Sequence, residues 1–182
     1  MYPVIRMAKE LWKFRSAPPL ALGEAHVSHH VCWPQDIDVW MELNNGRTLT
    51  LYDLGRVVLF QRMGFPRVMR ERRWAGTILG GSTRYRKRVR MGDRIEMRSR
   101  IVGWDARFSY AEQSMRVKGV TTSHALLRMG VTSKEGLVPS VEVEQALGLG
   151  PSPALPEWIS AWAEADGARP WPPMEGAATP EA

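Results

Sequence analysis

An α+β chain built on one antiparallel sheet is predicted from three features of the sequence. Arg94, Glu96, Arg98 and Arg100 alternate with Ile95, Met97, Ser99 and Ile101, a period of two that gives a strand one wet and one buried face. Leu51, Leu54 and Val58 recur at i, i+3 and i+7, which marks a helix upstream of that strand. Turn signals at Met91-Gly92-Asp93, at 103–107 and at Lys118-Gly119 then cut the following residues into lengths suited to a meander.

Taken in order, residues 2–15 read as a short amphipathic helix with Val4, Ala8, Leu11 and Trp12 on one side and Arg6, Lys9, Glu10 and Lys13 on the other. Its charges interrupt any apolar stretch that could serve as a signal peptide. The helix either docks on the body or, being basic and carrying Trp12 and Phe14, lies on a membrane surface. Ala17-Pro18-Pro19 breaks it, and Glu24–Trp33 is the first strand, bounded by Gly23 and Pro34. The main helix spans about Arg47–Met63 and stops at Gly64 and Pro66. Gly55 falls on its apolar stripe, where glycine costs about 1 kcal/mol relative to alanine, and close approach of helix to sheet accounts for it. Four more strands follow at Ile78–Arg90, Arg94–Trp104, Phe108–Lys118 and Thr122–Ser133, making five in all. Short helices are expected at Val141–Leu147 and Pro156–Ala165, and the Pro, Gly, Ala and Glu beyond Asp166 are expected to be mobile or draped on the surface. The boundaries fall at residues 1–20 for the N-terminal helix and linker, 21–150 for the main domain and 151–182 for the C-terminal extension.

The 182 residues are enough to bury a core without disulfide or metal staples, and the single Cys32 can form no internal disulfide, which fits a reducing, cytoplasmic setting. No stretch approaches the roughly 18 uninterrupted apolar residues of a membrane span. Charge is uneven. Residues 1–149 carry 24 of the 25 Lys and Arg against 14 acids, whereas residues 150–182 carry one base and five acids. A basic body favours anionic partners: nucleic acid, an anionic membrane face or a phosphate-bearing ligand such as coenzyme A.

Chemistry concentrates in the segment from Pro34 to Arg47, which holds Asp36, Asp38, Glu42, Asn44, Asn45 and Gly46 just before the main helix. A helix start exposes unpaired N–H groups and a partial positive charge, so it stabilises a polarised carbonyl or developing oxyanion. The same residues also suit local duties, with Asp36 and Asp38 capping a turn and Asn44 or Asn45 capping the helix. Arg84, Arg86, Arg88 and Arg90 would share one strand face, with Tyr85 and Val89 turned the other way. That face is either solvated and balanced by Glu96 or a phosphate contact. Nucleic acid is disfavoured because no aromatic platform interleaves these arginines. His26, His29, His30 and His124 read as core or surface histidines, no metal-ligand spacing or HExxH occurs, and no GxSxG elbow is present.

The run Asp36-x-Asp38-x-x-x-Glu42-x-Asn44-Asn45-Gly46-Arg47, leading into Leu51-Tyr52-Asp53-Leu54-Gly55-Arg56, resembles the hotdog-fold acyl-CoA thioesterases of the 4-hydroxybenzoyl-CoA thioesterase type. The resemblance covers about Ala25–Val138. It implies an antiparallel five-stranded sheet wrapped around the central helix, and homodimers or tetramers with active sites at subunit interfaces. It implies hydrolysis of an acyl thioester, with coenzyme A as part of the substrate and no separate cofactor. The catalytic carboxylate falls on Asp38, as nucleophile or general base, and the amide that polarises the carbonyl falls at or near Asn45. Substrate contacts are expected from Glu42, Asn44 and Thr48, and from Arg84 and Arg86 toward phosphate. Around Thr77–Thr83 a partner's second strand would complete the pocket, with Gly81, Ser82 and Thr83 at the contact; Gly80-Gly81 reads equally well as a bulge. Two departures stand out: Met41-Glu42 occupies the place of a common Gly-His, and Thr48 that of a common aromatic residue. The second implies an altered acyl pocket; the first, with the basic N-terminal helix and the added C-terminal tail, favours, as the alternative, a hotdog protein that binds an acyl thioester or lipid without turnover.

Overall fold

The computed structural model describes residues 2–173, so the expectation for the tail beyond Asp166 lies in large part outside the described residues. Helix α1 (Val4–Lys13) precedes strand β1 (His26–Val31), then come α2 (Asn45–Arg62), α3 (Phe65–Arg72), β2 (Ala75–Tyr85), β3 (Arg94–Trp104), β4 (Ser109–Val117), β5 (Val120–Ser133), β6 (Gly136–Val138), α4 (Ser140–Leu147) and α5 (Glu157–Gly167). The strands form one antiparallel sheet in the order β1-β3-β4-β5-β2, with β6 folded back onto the end of β5. The curled sheet and the long helix α2 against it are the hotdog arrangement.

Alternation in β3 holds: Ile95, Met97, Ser99 and Ile101 are buried, and Arg94, Arg98 and Arg100 face water. Those buried residues, with Ala111, Gln113 and Met115 of β4 and Ala125 of β5, form the floor under α2, whose Leu51, Tyr52, Leu54, Val58 and Leu59 are fully buried. Gly55 lets the helix sit this close. A Cβ there would come within 2.7 Å of both Met97 Sδ and Ser99 Oγ. Polar groups in the layer are paired, as burial requires: Gln113 Nε2 donates to the Tyr52 carbonyl at 2.8 Å and to Ser99 Oγ at 2.7 Å, and Arg56 donates to Gln113 Oε1 at 2.8 Å.

Several elements differ from expectation. Among the described residues the sheet has six strands rather than the expected five, because three residues, Gly136–Val138, pair with Val131–Ser133. Helix α3 follows the expected stop: Gly64 takes a left-handed φ of 83°, and Pro66 sits in the first turn of a new helix, where its missing N–H costs nothing. Strand β2 ends at Tyr85, five residues early, since the Arg86 and Lys87 amides both turn to the Thr122 carbonyl. The four arginines therefore share no strand face, and Glu96 pairs with Arg98 and Arg116 instead of balancing them. A register shift between Ile78 and Gly80 leaves Leu79 as the bulged residue, just before the Gly80-Gly81 pair, which is itself in regular register.

Helix α1 docks on the body, but by a different face from the one its hydrophobicity suggested. Met7 and Glu10 are buried while Val4, Ala8 and Trp12 are exposed. Two contacts set this orientation: Arg6 reaches inward to Asp36, and Phe14 packs edge-on against His26 with ring centroids 4.5 Å apart. Helix α5 is likewise held, by Arg128, whose guanidinium pairs with Asp166 at 2.5 Å and lies 5.4 Å from the Trp162 ring centroid.

Candidate active site

The site is built from the loop between β1 and α2. A single 3-10 turn, Pro34–Asp36, buries the Asp36 side chain completely. One carboxylate oxygen accepts from Arg47 (Nη2 at 2.7 Å, Nε at 3.1 Å), and the other from Arg6 Nη1 (2.7 Å) and the Trp33 amide (3.0 Å). Burial by itself would raise the Asp36 pKa, but the hydrogen bonds from Arg47 and Arg6 outweigh it and hold the carboxyl below the usual range. Its carbonyl also accepts the Asn44 amide at 2.9 Å. Asp36 is thus a brace that ties α1, the loop and the first turn of α2 together.

Asp38 opens a tight turn. Its Oδ1 accepts the Trp40 amide at 2.9 Å and the Glu42 amide at 3.4 Å, and its backbone N–H donates to the Glu42 carbonyl at 2.9 Å. An antiparallel bridge between Ile37 and Leu43 closes the base of the turn. The carboxylate is therefore held in one orientation through Oδ1, and Oδ2 takes no part in these bonds. Helix α2 starts directly after. Asn44 is its N-cap, with Oδ1 accepting from the Gly46 amide (2.9 Å) and the Arg47 amide (3.1 Å). The Asn45 amide is not one of the two the cap consumes.

A pocket of about 190 Å³ opens at this helix start, walled by Glu42, Asn45, Thr48, Tyr85, Arg86 and Arg88 among others. Tyr85 donates to the Asn45 carbonyl at 3.4 Å, and beneath the pocket Tyr52 and Ser123 hydroxyls bond at 2.9 Å. Across the mouth, Arg88 Nε lies 2.8 Å from Glu42 Oε2. Among the described residues, no group of three or more His, Cys, Asp or Glu side chains is arranged to hold a metal ion.

Of the residues singled out from sequence, Glu42, Asn45, Thr48 and Arg86 meet around this pocket. Asn44 sits beside it as the cap, and Asp38 lies at the other end of the Asp38–Glu42 turn rather than in the pocket wall. Gly81, Ser82, Thr83 and Arg84 stand on β2, the sheet edge. Ser82 and Arg84 border a second hollow of about 470 Å³ with Glu112, His124, Leu126 and Trp158. That hollow lies on the sheet face away from α2, since Gln113, one residue from Glu112, contacts Tyr52 from the inner face. In it His124 Nε2 lies 2.8 Å from Glu112 Oε1, and this bond together with Arg100 pulls the Glu112 carboxyl down to about 2 despite its burial. Sequence reasoning missed Tyr85 and Ser123 as pocket residues. They are partners across the β2–β5 register, and no local pattern announces a contact 38 positions apart. The histidines are as expected, with His26 and His30 buried and His29 turned outward.

Residues 32–163 match the family model of the thioesterase-like superfamily, and the chain belongs to that superfamily. Among curated proteins it is 31% identical to Protein THEM6 of Xenopus laevis over 110 residues, 60% of this chain and 53% of that protein. It is 26% identical to Protein THEM6 of Drosophila melanogaster over 140 residues, 74% of this chain and 70% of the other. The match thus spans about half the length of the first of these relatives. Solved structures share the fold. A probable thioesterase, YbaW, from Escherichia coli superimposes with a TM-score of 0.60 at 15% identity, covering 67% of this chain and 96% of that one. Slr0204 from Synechocystis, a 1,4-dihydroxy-2-naphthoyl-CoA thioesterase, gives 0.59 at 10% identity, covering 68% and 95%. At these identities the likeness is one of fold.

Proposed function

We propose that the chain hydrolyses an acyl thioester of coenzyme A. The observation that carries the reading is that Asn45, the first residue of α2, lines a pocket together with Arg86, Lys87 and Arg88. A carbonyl oxygen seated at the Asn45 amide gains a hydrogen bond and the helix-end potential as charge develops on it, while the cations suit the phosphates of coenzyme A.

Asp38, which lies outside the pocket wall at the far end of the Asp38–Glu42 turn, supplies the carboxylate in this reading because the family resemblance assigns it that role. Pinned through Oδ1, it offers Oδ2 either to the carbonyl carbon, giving an anhydride that water then opens, or to a water proton. In both routes the C–S bond breaks, the thiolate leaves and takes a proton from solvent, and one water is consumed per acid formed. The chain would work as a homodimer, joined along the exposed edge of β2, where Ile78 and Leu79 lie open.

A second reading, binding of an acyl thioester or lipid without turnover, is favoured by the Glu42–Arg88 ion pair spanning the pocket mouth. Thiol release from short, long and aromatic acyl-CoAs separates the two. Turnover of any of them supports the hydrolase; saturable binding with no release above background supports the binder.

A further inference from the structure

The turn that positions Asp38 also forces three large apolar side chains into solvent. Val39, Trp40 and Met41 are 85%, 73% and 65% exposed. They are held there by backbone geometry, because Met41 has a left-handed φ of 59° and its amide is tied to the Asp38 carbonyl at 3.1 Å. A non-glycine residue in that region is strained, so the tip is not a relaxed loop. Beside it, the turn before β3 presents Met91, 54% exposed, and Trp40, Met41 and Met91 face one hollow together with Arg88 and Arg90. Of the nearby carboxylates, Glu42 pairs with Arg88, Asp93 accepts the Arg90 amide at 2.8 Å, and Asp38 accepts the Trp40 and Glu42 amides through Oδ1 alone.

We propose that this tip, Val39, Trp40, Met41 and Met91 flanked by Arg88 and Arg90, docks the protein on an anionic lipid bilayer. Exposed indole and thioether groups beside two guanidinium groups fit a bilayer interface, where the apolar groups enter the headgroup boundary and the cations meet lipid phosphates. A second copy fits this surface poorly. An isologous contact about the tip would set Arg88 and Arg90 against the same two arginines of its partner. The surface is also distinct from the exposed side of α1, whose Ile5 and Trp12 make it a separate candidate for lipid contact. The inference goes beyond the catalytic reading and does not depend on it. It adds one consequence: Arg88 walls both the hollow and the Asn45 pocket, so docking sets the pocket mouth beside the lipid surface.

The test is co-sedimentation of the full chain with phosphatidylcholine vesicles, with and without phosphatidylserine, at low and high salt. Wild type is expected to pellet with the anionic vesicles and to be released by salt. Trp40→Ser/Met41→Ser and, separately, Arg88→Gln/Arg90→Gln are expected to lower the bound fraction by roughly an order of magnitude, while Ile5→Ser/Trp12→Ser leaves it near wild type. Trp40→Ser alone serves if the double variant melts lower than wild type. The proposal is overturned if wild type stays in the supernatant or if the tip variants pellet like wild type. It is equally overturned if binding is lost only with the α1 variant, or if light scattering shows that the tip variants lose a dimer that wild type forms.

Discussion

Arg88 Nε lies 2.8 Å from Glu42 Oε2, and this contact spans the mouth of the pocket at the start of α2. Glu42 thereby occupies a cation that an anionic ligand would otherwise meet. The pair is solvent-accessible, Arg88 more than Glu42, so it is worth at most about 1 kcal/mol. Glu42→Gln is expected to tighten coenzyme A binding by up to about fivefold and to steepen its salt dependence. Titration calorimetry at two ionic strengths checks both. Unchanged affinity would mean that phosphate does not approach Arg88.

Asp36 is the opposite case, a carboxylate with no solvent exposure shared by two arginines. Asp36→Ala removes the buried carboxylate that Arg6 and Arg47 share and unties α1 from the loop. A loss of about 3–5 kcal/mol is expected in urea unfolding, as for other broken buried pairs. A loss below about 1 kcal/mol would show that the brace is redundant.

His26 and His30 set an acid limit on stability. Burial is the main cause that lowers the pKa of His26 to about 4 and that of His30 to about 3, with the nearby Arg62, Arg6 and Lys13 adding to it. Both values lie below the ordinary histidine value of 6.5, so the unfolded chain binds more protons throughout this window. Their contribution is therefore fully present above about pH 6.5 and is lost as pH falls toward about 4 and then about 3. For His26 the depression corresponds to about 3 kcal/mol. Glu10, whose carboxyl is pushed up by burial, works in the other direction at acid pH and offsets part of the fall. Melting temperature measured from neutral to acid pH should drop through the histidine window, and His26→Phe should flatten the drop.

Gly55 marks how closely α2 lies on the sheet. A β-carbon there would fall inside contact distance of Met97 Sδ and Ser99 Oγ, and the branched side chain of valine has nowhere to turn. Gly55→Val should cost about 1–3 kcal/mol, despite the better helix propensity of valine. Denaturant melts give the value directly, and a stabilised variant would contradict this packing.

How much of this was legible beforehand depends on how local each signal was. The alternation of Arg94–Ile101 carries its own evidence, and so does the Asn-Asn-Gly start of α2, because strand faces and helix caps are decided within a few residues. Helix α3 was hidden because Pro66 reads as a stop although a first-turn proline also begins a helix. The run from Arg84 to Arg90 misled for another reason: alternation was preserved while the backbone left the sheet for the Thr122 carbonyl. Helix α1 turned a different face inward because its ion pair with Asp36, 30 residues away, outweighs the segregation of its side chains. The site divides the same way. Asn45, Glu42 and Thr48 are neighbours in sequence and were found together, whereas Tyr85 and Ser123 reach the pocket only through sheet register.

The central claim is that a carboxylate in the Asp38–Glu42 turn acts on a thioester held at the Asn45 amide. Asp38→Asn tests it most directly, because the asparagine carbonyl oxygen can still accept the Trp40 and Glu42 amides that fix the turn, while the charge and basicity are gone. Thiol release is measured for wild type and variant at matched folding on the best acyl-CoA substrate. The account predicts that kcat falls by about 100-fold or more with coenzyme A binding retained. An Asp38→Asn variant that turns over at the wild-type rate would contradict it.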